Sequence, residues 1–200
     1  MSNKIDKQLN YKTSLLYLIS IIKFFMTPKL NTERLILREI LATDRDDLYE
    51  MDSDPQVHKF IFNQPVHSME EIDNAIKYIQ NQYVENGIGR WAVVSLDTNE
   101  MIGWCGLKLL TEPVNGRVNV YDLGYRFKQR HWGKGYASEA CNAIVDYAKN
   151  NLKLNSLIAT VHPENTGSKN ILKKLGFNFG EQFDYDGSPA IWCELNLESK

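Results

Sequence analysis

The sequence predicts an α/β domain built on one mixed sheet with helices on both faces. Three observations carry this. Strand-like and helix-like segments follow one another in the order β-α-α-β-β-β-α-β-α-β-β between about residues 30 and 196. A strand, a glycine-bearing loop and a long helix stand in direct succession over 119–152. Two hundred residues, 43% hydrophobic and 24% charged, fit one domain of ordinary size with a real core.

The elements read as follows. Arg34-Leu35-Ile36-Leu37-Arg38 alternates and predicts a half-buried first strand. Asp44 or Thr43 can cap a helix that runs to about Met51, and Asp54-Pro55 opens a further turn through Val57 and Phe60. Ser68-Met69-Glu70-Glu71 is a capping box. Its helix carries Ile72, Ala75, Ile76 and Ile79 on one face and ends near Asn86-Gly87. Trp91 to Leu96 and Met101 to Leu110 predict a hairpin joined at Asp97-Thr98-Asn99-Glu100. A loop over Pro113 to Gly116 precedes the strand Asn119 to Phe127. Tyr136 to Leu152 places Ala137, Ala140, Ile144, Tyr147 and Ala148 on one stripe. Then come a strand over Leu157 to Val161, a helix from about Thr166 to Leu175 stopped by Gly176, and closing strands over Phe177 to Phe183 and Ala190 to Leu195.

A net charge of −2 gives no reason to expect a nucleic-acid surface. Cys105, Cys141 and Cys193 are odd in number, far apart and without metal spacing; they read as reduced, packed thiols of a cytoplasmic protein. His58, His67, His131 and His162 form no local ligand motif, so no metal is expected. Ser14 to Phe25 is an apolar run of 12 residues holding Lys23, too short to span a bilayer. Three readings of it stay open: Met26 as the true initiator, an added amphipathic helix, or an export signal. The division adopted is an extension over 1–25 and a domain over 26–200, with no membrane partner expected.

The most informative stretch is Arg130-His131-Trp132-Gly133-Lys134-Gly135, between the predicted strand and the predicted helix. A helix start has unpaired N–H groups and a partial positive charge, and glycines let a phosphate approach the backbone. A dinucleotide loop of the Gly-x-Gly-x-x-Gly type is excluded, because Lys128 to Trp132 separate the strand from Gly133 and the third glycine position holds Ser138. No P-loop run exists.

In this setting Arg-x-x-Gly-x-Gly resembles the pyrophosphate loop of GNAT-family acyl-CoA N-acetyltransferases. Asn165-Thr166-Gly167-Ser168 leading to Lys174-Leu175-Gly176-Phe177, Thr32 to Arg38, and Trp132 to Ala140 resemble the branch that includes ribosomal-protein N-terminal acetyltransferases. The resemblance spans about residues 30–196. It implies a single domain with a mostly antiparallel sheet of about seven strands, and acetyl-CoA as acyl donor. The donor would lie between the strand ending at Phe127 and the strand starting near Leu157. Backbone N–H groups from Arg130 through His131, Trp132, Gly133, Lys134 and Gly135 would hold the pyrophosphate, beside Tyr136. Backbone of Tyr125, Arg126 and Phe127 would pair with the pantetheine arm, and Asn165 would bond it while capping its own helix. Ser168 would face the thiol.

Many members of the family carry a tyrosine acid four residues before the glycine that ends this helix; here that position is Leu172. Ser168 is therefore the candidate to protonate or position the leaving sulfur. A protonated amine has no lone pair, so a base is needed. Asp122 stands where the family often has Glu. It is expected to act through a water if dry, with a salt bridge to a nearby base as its alternative fate. Asp184 and Tyr185, in the expected late loop, are weaker candidates. The reading is transfer of an acetyl group from acetyl-CoA to a primary amine, on a peptide N-terminus or a small molecule, by a monomer or homodimer. Its rival is a non-catalytic acyl-CoA-binding module acting as a sensor or partner subunit.

Overall fold

The computed structural model describes residues 28–198. The proposed extension over 1–25, and Met26, lie outside the described residues. The sheet has eight strands: β1 (Leu30–Asn31), β2 (Leu35–Glu39), β3 (Arg90–Ser95), β4 (Met101–Leu110), β5 (Val120–Phe127), β6 (Ser156–Val161), β7 (Asn178–Tyr185) and β8 (Ser188–Asn196). They lie in the order β1-β2-β3-β4-β5-β6-β8-β7. The strand beyond the expected seven is the two-residue β1, too short to leave an alternation in the sequence. Among the described residues five α-helices accompany the sheet: α1 (Arg45–Asp52), α2 (Pro55–His58), α3 (Met69–Asn86), α4 (Tyr136–Asn150) and α5 (Thr166–Lys174). No helix among the described residues is long and apolar enough to cross a membrane.

Every neighbouring pair is antiparallel except β5 and β6. Those two run parallel and meet only at Asp122 and Ile158. Beyond Asp122 the facing edges are unpaired, so the sheet opens as a wedge between Phe127 and Val161. A parallel pair needs a crossover, and α4 supplies it.

Alternation along β5 sends its side chains to two layers. Leu123, Tyr125 and Phe127 join the main core with Ala140, Ile144 and Ala148 of α4 and Leu172 of α5. On the opposite face Ile72 and Ile76 of α3 pack with Leu48 and Met51 of α1 over Ala92 and Val94. The α4 stripe is apolar because every third or fourth residue must face the sheet. Cys105 and Cys141 meet in that core with sulfurs 3.6 Å apart.

Two local expectations are corrected. Asp44 does not cap α1: its carboxylate takes both Nη atoms of Arg38 at 2.7 Å and the N–H of Leu41 at 2.8 Å. The stronger charge-assisted fork wins over the cap. Asp184 and Tyr185 are not in a loop but at the end of β7. The chain reverses at Asp186-Gly187, whose φ angles of 50° and 83° make a tight hairpin turn. The Ser68 cap forms as expected: its Oγ accepts from the N–H of Glu71 at 3.3 Å and donates to that glutamate's Oε1 at 2.9 Å.

Candidate active site

The opening between β5 and β6 is a cleft of about 650 Å³. Its walls come from four places: the end of β5, the loop into α4, the start of α5, and the segment from Gln56 to Ile61 at and after α2. The wedge sets the first, since strand edges that stop pairing leave backbone groups free.

The loop begins with a single turn of 3₁₀ helix over Gln129–His131. That turn alters the expected donor set. The N–H of His131 bonds the carbonyl of Lys128 at 2.9 Å, and the N–H of Trp132 bonds that of Gln129 at 3.0 Å. The free N–H groups therefore run from Gly133 through Lys134, Gly135, Tyr136 and Ala137 to Ser138, none of which finds a partner among the described residues. Gly133 and Gly135 have φ of +74° and +84°. These left-handed values are easy only for glycine and turn successive N–H groups to one side. Such a run at a helix start has the donors and partial charge to receive an anion.

The Arg130 side chain points away from the cradle and pairs with Glu50 and Glu100. Lys128, 3% exposed, sits among Asp47, Glu50 and Glu100 at 2.6, 2.8 and 3.0 Å. The Trp132 indole N–H donates to the Phe127 carbonyl at 2.8 Å, so that carbonyl, in the stretch of backbone expected to pair with pantetheine, already holds one donor. His131 lines the cleft. Burial lowers its pKa against the pull of Glu100, and its Nε2 is buried without a hydrogen-bond partner. Arg34 stacks over the Tyr136 ring at 4.6 Å and reaches the Lys134 carbonyl at 3.0 Å. Its other nitrogens hold Glu139 in the first turn of α4, where Thr32 also donates at 2.5 Å.

Across the cleft Asn165 accepts the N–H of Ser168 at 3.0 Å through its side-chain oxygen, so it caps α5 as the plain reading of the sequence had it. Its amide nitrogen makes no bond among the described residues. The Ser168 hydroxyl lies 2.8 Å from that of Tyr125, whose hydroxyl also donates to the Ser168 carbonyl at 3.2 Å. Burial drives the Tyr125 hydroxyl pKa far up, so it stays a neutral O–H donor. The sequence places the backbone of Tyr125 beside pantetheine and its ring, as a strand aromatic, in the core by default or in the acceptor pocket; the ring does pack against the main core, and the hydroxyl bond to Ser168 lies outside that expectation. The missed signal is alternation: an odd-numbered aromatic on β5 faces the same layer as Leu123.

Asp122 is on the other face of β5. It is not the unpartnered carboxylate expected of a dry base. Its Oδ2 accepts from the Arg90 guanidinium at 2.6 Å, and both side chains are only 14% exposed. Arg90 also donates to the backbone carbonyls of Asp122 and Gly106, each at 2.9 Å. Gly124 makes the room: a Cβ there would stand 2.7 Å from the guanidinium carbon. Oδ1 of Asp122 has no partner among the described residues. Arg126, on the same face, is taken by Asp52 at 2.7 Å, and Trp104 lies between the two guanidinium groups at 5.2 and 5.3 Å. Tyr125–Ser168 and Asp122 thus stand on opposite faces of β5. The geometry can hold a thioester threaded through the wedge, with its sulfur on one face and its acceptor on the other.

Residues 34–178 match the acetyltransferase (GNAT) domain family. An N-acetyltransferase of Bacillus licheniformis, p20, is 38% identical over 149 residues, covering 74% of this chain and 81% of that protein. The crystal structure of a GNAT-family acetyltransferase from Bacillus anthracis superposes with a TM-score of 0.71 at 25% identity, covering 86% of this chain and all of that one. The ribosomal alpha-N-protein acetyltransferase RimL, solved in complex with coenzyme A, shares the fold with a TM-score of 0.69 at 15% identity, covering 84% of this chain and 98% of that one. A strand wedge, a glycine-shaped donor run at a helix start and a sequence match across most of the domain agree: the chain belongs to the GNAT acetyltransferase family.

Proposed function

We propose that this protein transfers an acetyl group from acetyl-CoA directly to a primary amine. The observation that carries the reading is the run of free N–H groups from Gly133 to Ser138 at the mouth of the wedge, where a pyrophosphate would be held. The unpaired edge of β5 offers backbone to the pantetheine arm, and the Asn165 amide nitrogen offers a further donor. No activating metal is needed, because a thioester is already electrophilic.

The amine nitrogen attacks the thioester carbon, the carbon–sulfur bond breaks, and the electron pair leaves on sulfur. Ser168 either hydrogen-bonds the sulfur as it leaves as a thiolate or passes it a proton and regains one from solvent, with Tyr125 keeping the hydroxyl in position. The free Oδ1 of Asp122 accepts the proton from the amine through a water, while Arg90 fixes the carboxylate. Because Arg90 already engages one oxygen, Asp122 works as an oriented acceptor rather than an isolated base.

Thiol release on mixing with acetyl-CoA and an amine panel tests the reading. Turnover with at least one primary amine supports it. Tight acetyl-CoA binding with no thiol release from any amine would favour the sensor module instead.

A further inference from the structure

A second cavity lies on the acceptor side of the sheet. It has a volume of about 620 Å³ and sits between the C-terminal half of α3, the β4–β5 connection and the β7–β8 turn. Its charge is one-sided: Glu85, Glu112, Asp184 and Asp186 line it against the single ammonium of Lys108. None of these four carboxylates makes an ion pair among the described residues; Asp184 only accepts the N–H of Gly187. In each of the Lys128, Arg90 and Arg126 groups, by contrast, carboxylates are paired with a cation.

Two further observations point to a ligand that donates hydrogen bonds and carries positive charge. Gln82 projects from α3 into the wall of this cavity and is 7% exposed, yet its amide oxygen has no donor. A buried carbonyl without a donor is costly, and an N–H group would relieve it. The walls also present aromatic faces. Tyr185 stacks on Phe183 at 5.9 Å, and Tyr78 already holds the Lys108 ammonium 5.3 Å from its ring centroid. Aromatic faces beside carboxylates attract cations.

The cavity is placed to act on the proposed reaction. Lys108 is the register partner of Asp122, so the cavity adjoins the β5 position assigned to the amine. Burial, and then the charge of Asp122, raises the pKa of the Tyr185 hydroxyl, which puts that ring within the field of Asp122. A smaller cavity of about 350 Å³ shares Asp186 with this one and shares Lys59 and Phe60 with the donor cleft.

We infer that the acceptor is a small di- or polycationic amine, with one amino group at the thioester and a second ammonium held among Glu85, Glu112, Asp184 and Asp186. This rests on the acetyl-transfer reading above and names its substrate class. A volume of this size suits a small molecule.

The test compares spermidine, a triamine, with butylamine, which has one ammonium, and with a neutral alanine-initiated peptide, by thiol release from acetyl-CoA. Spermidine is expected to exceed butylamine at least 100-fold in kcat/KM, with a KM that rises with salt. The double variant Glu85→Gln/Glu112→Gln should raise the KM for spermidine at least tenfold while the melting temperature holds. Comparable kcat/KM for the two amines, a preference for the peptide, or an unchanged KM in the variant overturns the inference and leaves acetyl transfer standing. If no amine releases thiol, the transfer reading fails. Calorimetry with spermidine then decides the cavity alone: binding that the variant abolishes upholds it, and absence of binding overturns it.

Discussion

The hydroxyl of Tyr125 lies 2.8 Å from that of Ser168, so a residue of β5 and a residue of α5 are stitched together across the base of the cleft. In the proposed reaction the pair would supply on two elements what a tyrosine at position 172 would supply on one; Leu172 is 1% exposed in the core. Tyr125→Phe removes the hydroxyl's contacts to both the Ser168 hydroxyl and the Ser168 carbonyl; a loss of about 1 kcal/mol in the transition state is expected to lower kcat roughly fivefold. Ser168→Ala should lower kcat to a similar or somewhat greater degree, with little change in acetyl-CoA affinity. Because Tyr125 acts through Ser168, the double variant should be no slower than Ser168→Ala. Additive losses would separate the two hydroxyls.

Gly135 has φ of +84° at the start of α4. A β-branched residue there costs about 1–3 kcal/mol of backbone strain or forces the loop to turn its N–H groups elsewhere. Gly135→Val is expected to raise the Kd for acetyl-CoA roughly tenfold or more, about 1.4 kcal/mol, as read by calorimetry. An intact fold with unchanged affinity would remove the loop from the donor site.

Asp122→Asn keeps a carbonyl oxygen for Arg90 to hold but removes the proton acceptor. It is expected to reduce kcat by roughly 10- to 1,000-fold at neutral pH, with a deficit that narrows as rising pH supplies free amine. If the pH–rate curves of the two enzymes ran parallel within about twofold, Asp122 would have no proton to carry. The role would pass to Asp184, to Tyr185 or to solvent acting on an amine the site merely orients.

Glu139 offers a pH test of stability. Burial would raise its pKa, but the Thr32 hydroxyl, the Arg34 N–H and the Arg34 guanidinium outweigh burial and hold it below the ordinary 4.5. A carboxylate depressed on folding stabilises the protein above its unfolded pKa, and that stabilisation is lost as pH falls through the folded value. Glu139→Gln should therefore melt a few degrees below wild type at pH 7, where about 1 kcal/mol corresponds to roughly 2–4 °C. The gap should close as pH falls below about 4.5. A gap that persisted at low pH would mean that packing, not charge, is what the glutamate contributes.

The order of elements was legible because each has a local cause. The α4 stripe, the Ser68 cap and the glycine-bearing loop all act within a few residues of themselves. Contacts made through register were not. The Arg90–Asp122 pair spans one intervening strand, β4, and needs the bare backbone of Gly124, and no periodicity announces that. The Asp186-Gly187 pair carries a turn signal that was not used: the strands were expected to stop at Phe183 and resume at Ala190, whereas they run to Tyr185 and from Ser188. The N–H groups of His131 and Trp132 are spent inside a single 3₁₀ turn, a local choice below the grain of the sequence, which leaves the continuous free run at 133–138.

Lys128 and Arg130 grip carboxylates of α1 and of the β3–β4 turn, while Arg34 on the β1–β2 connection grips both the carbonyl of Lys134 and the carboxylate of Glu139. The anion loop is thus clamped from outside at both ends by residues 28 to 105 positions away. A designer who moved residues 128–139 alone into another strand–helix scaffold would transplant the glycines and leave behind the clamps that aim them. The transferable unit is the loop together with Arg34, Asp47, Glu50 and Glu100.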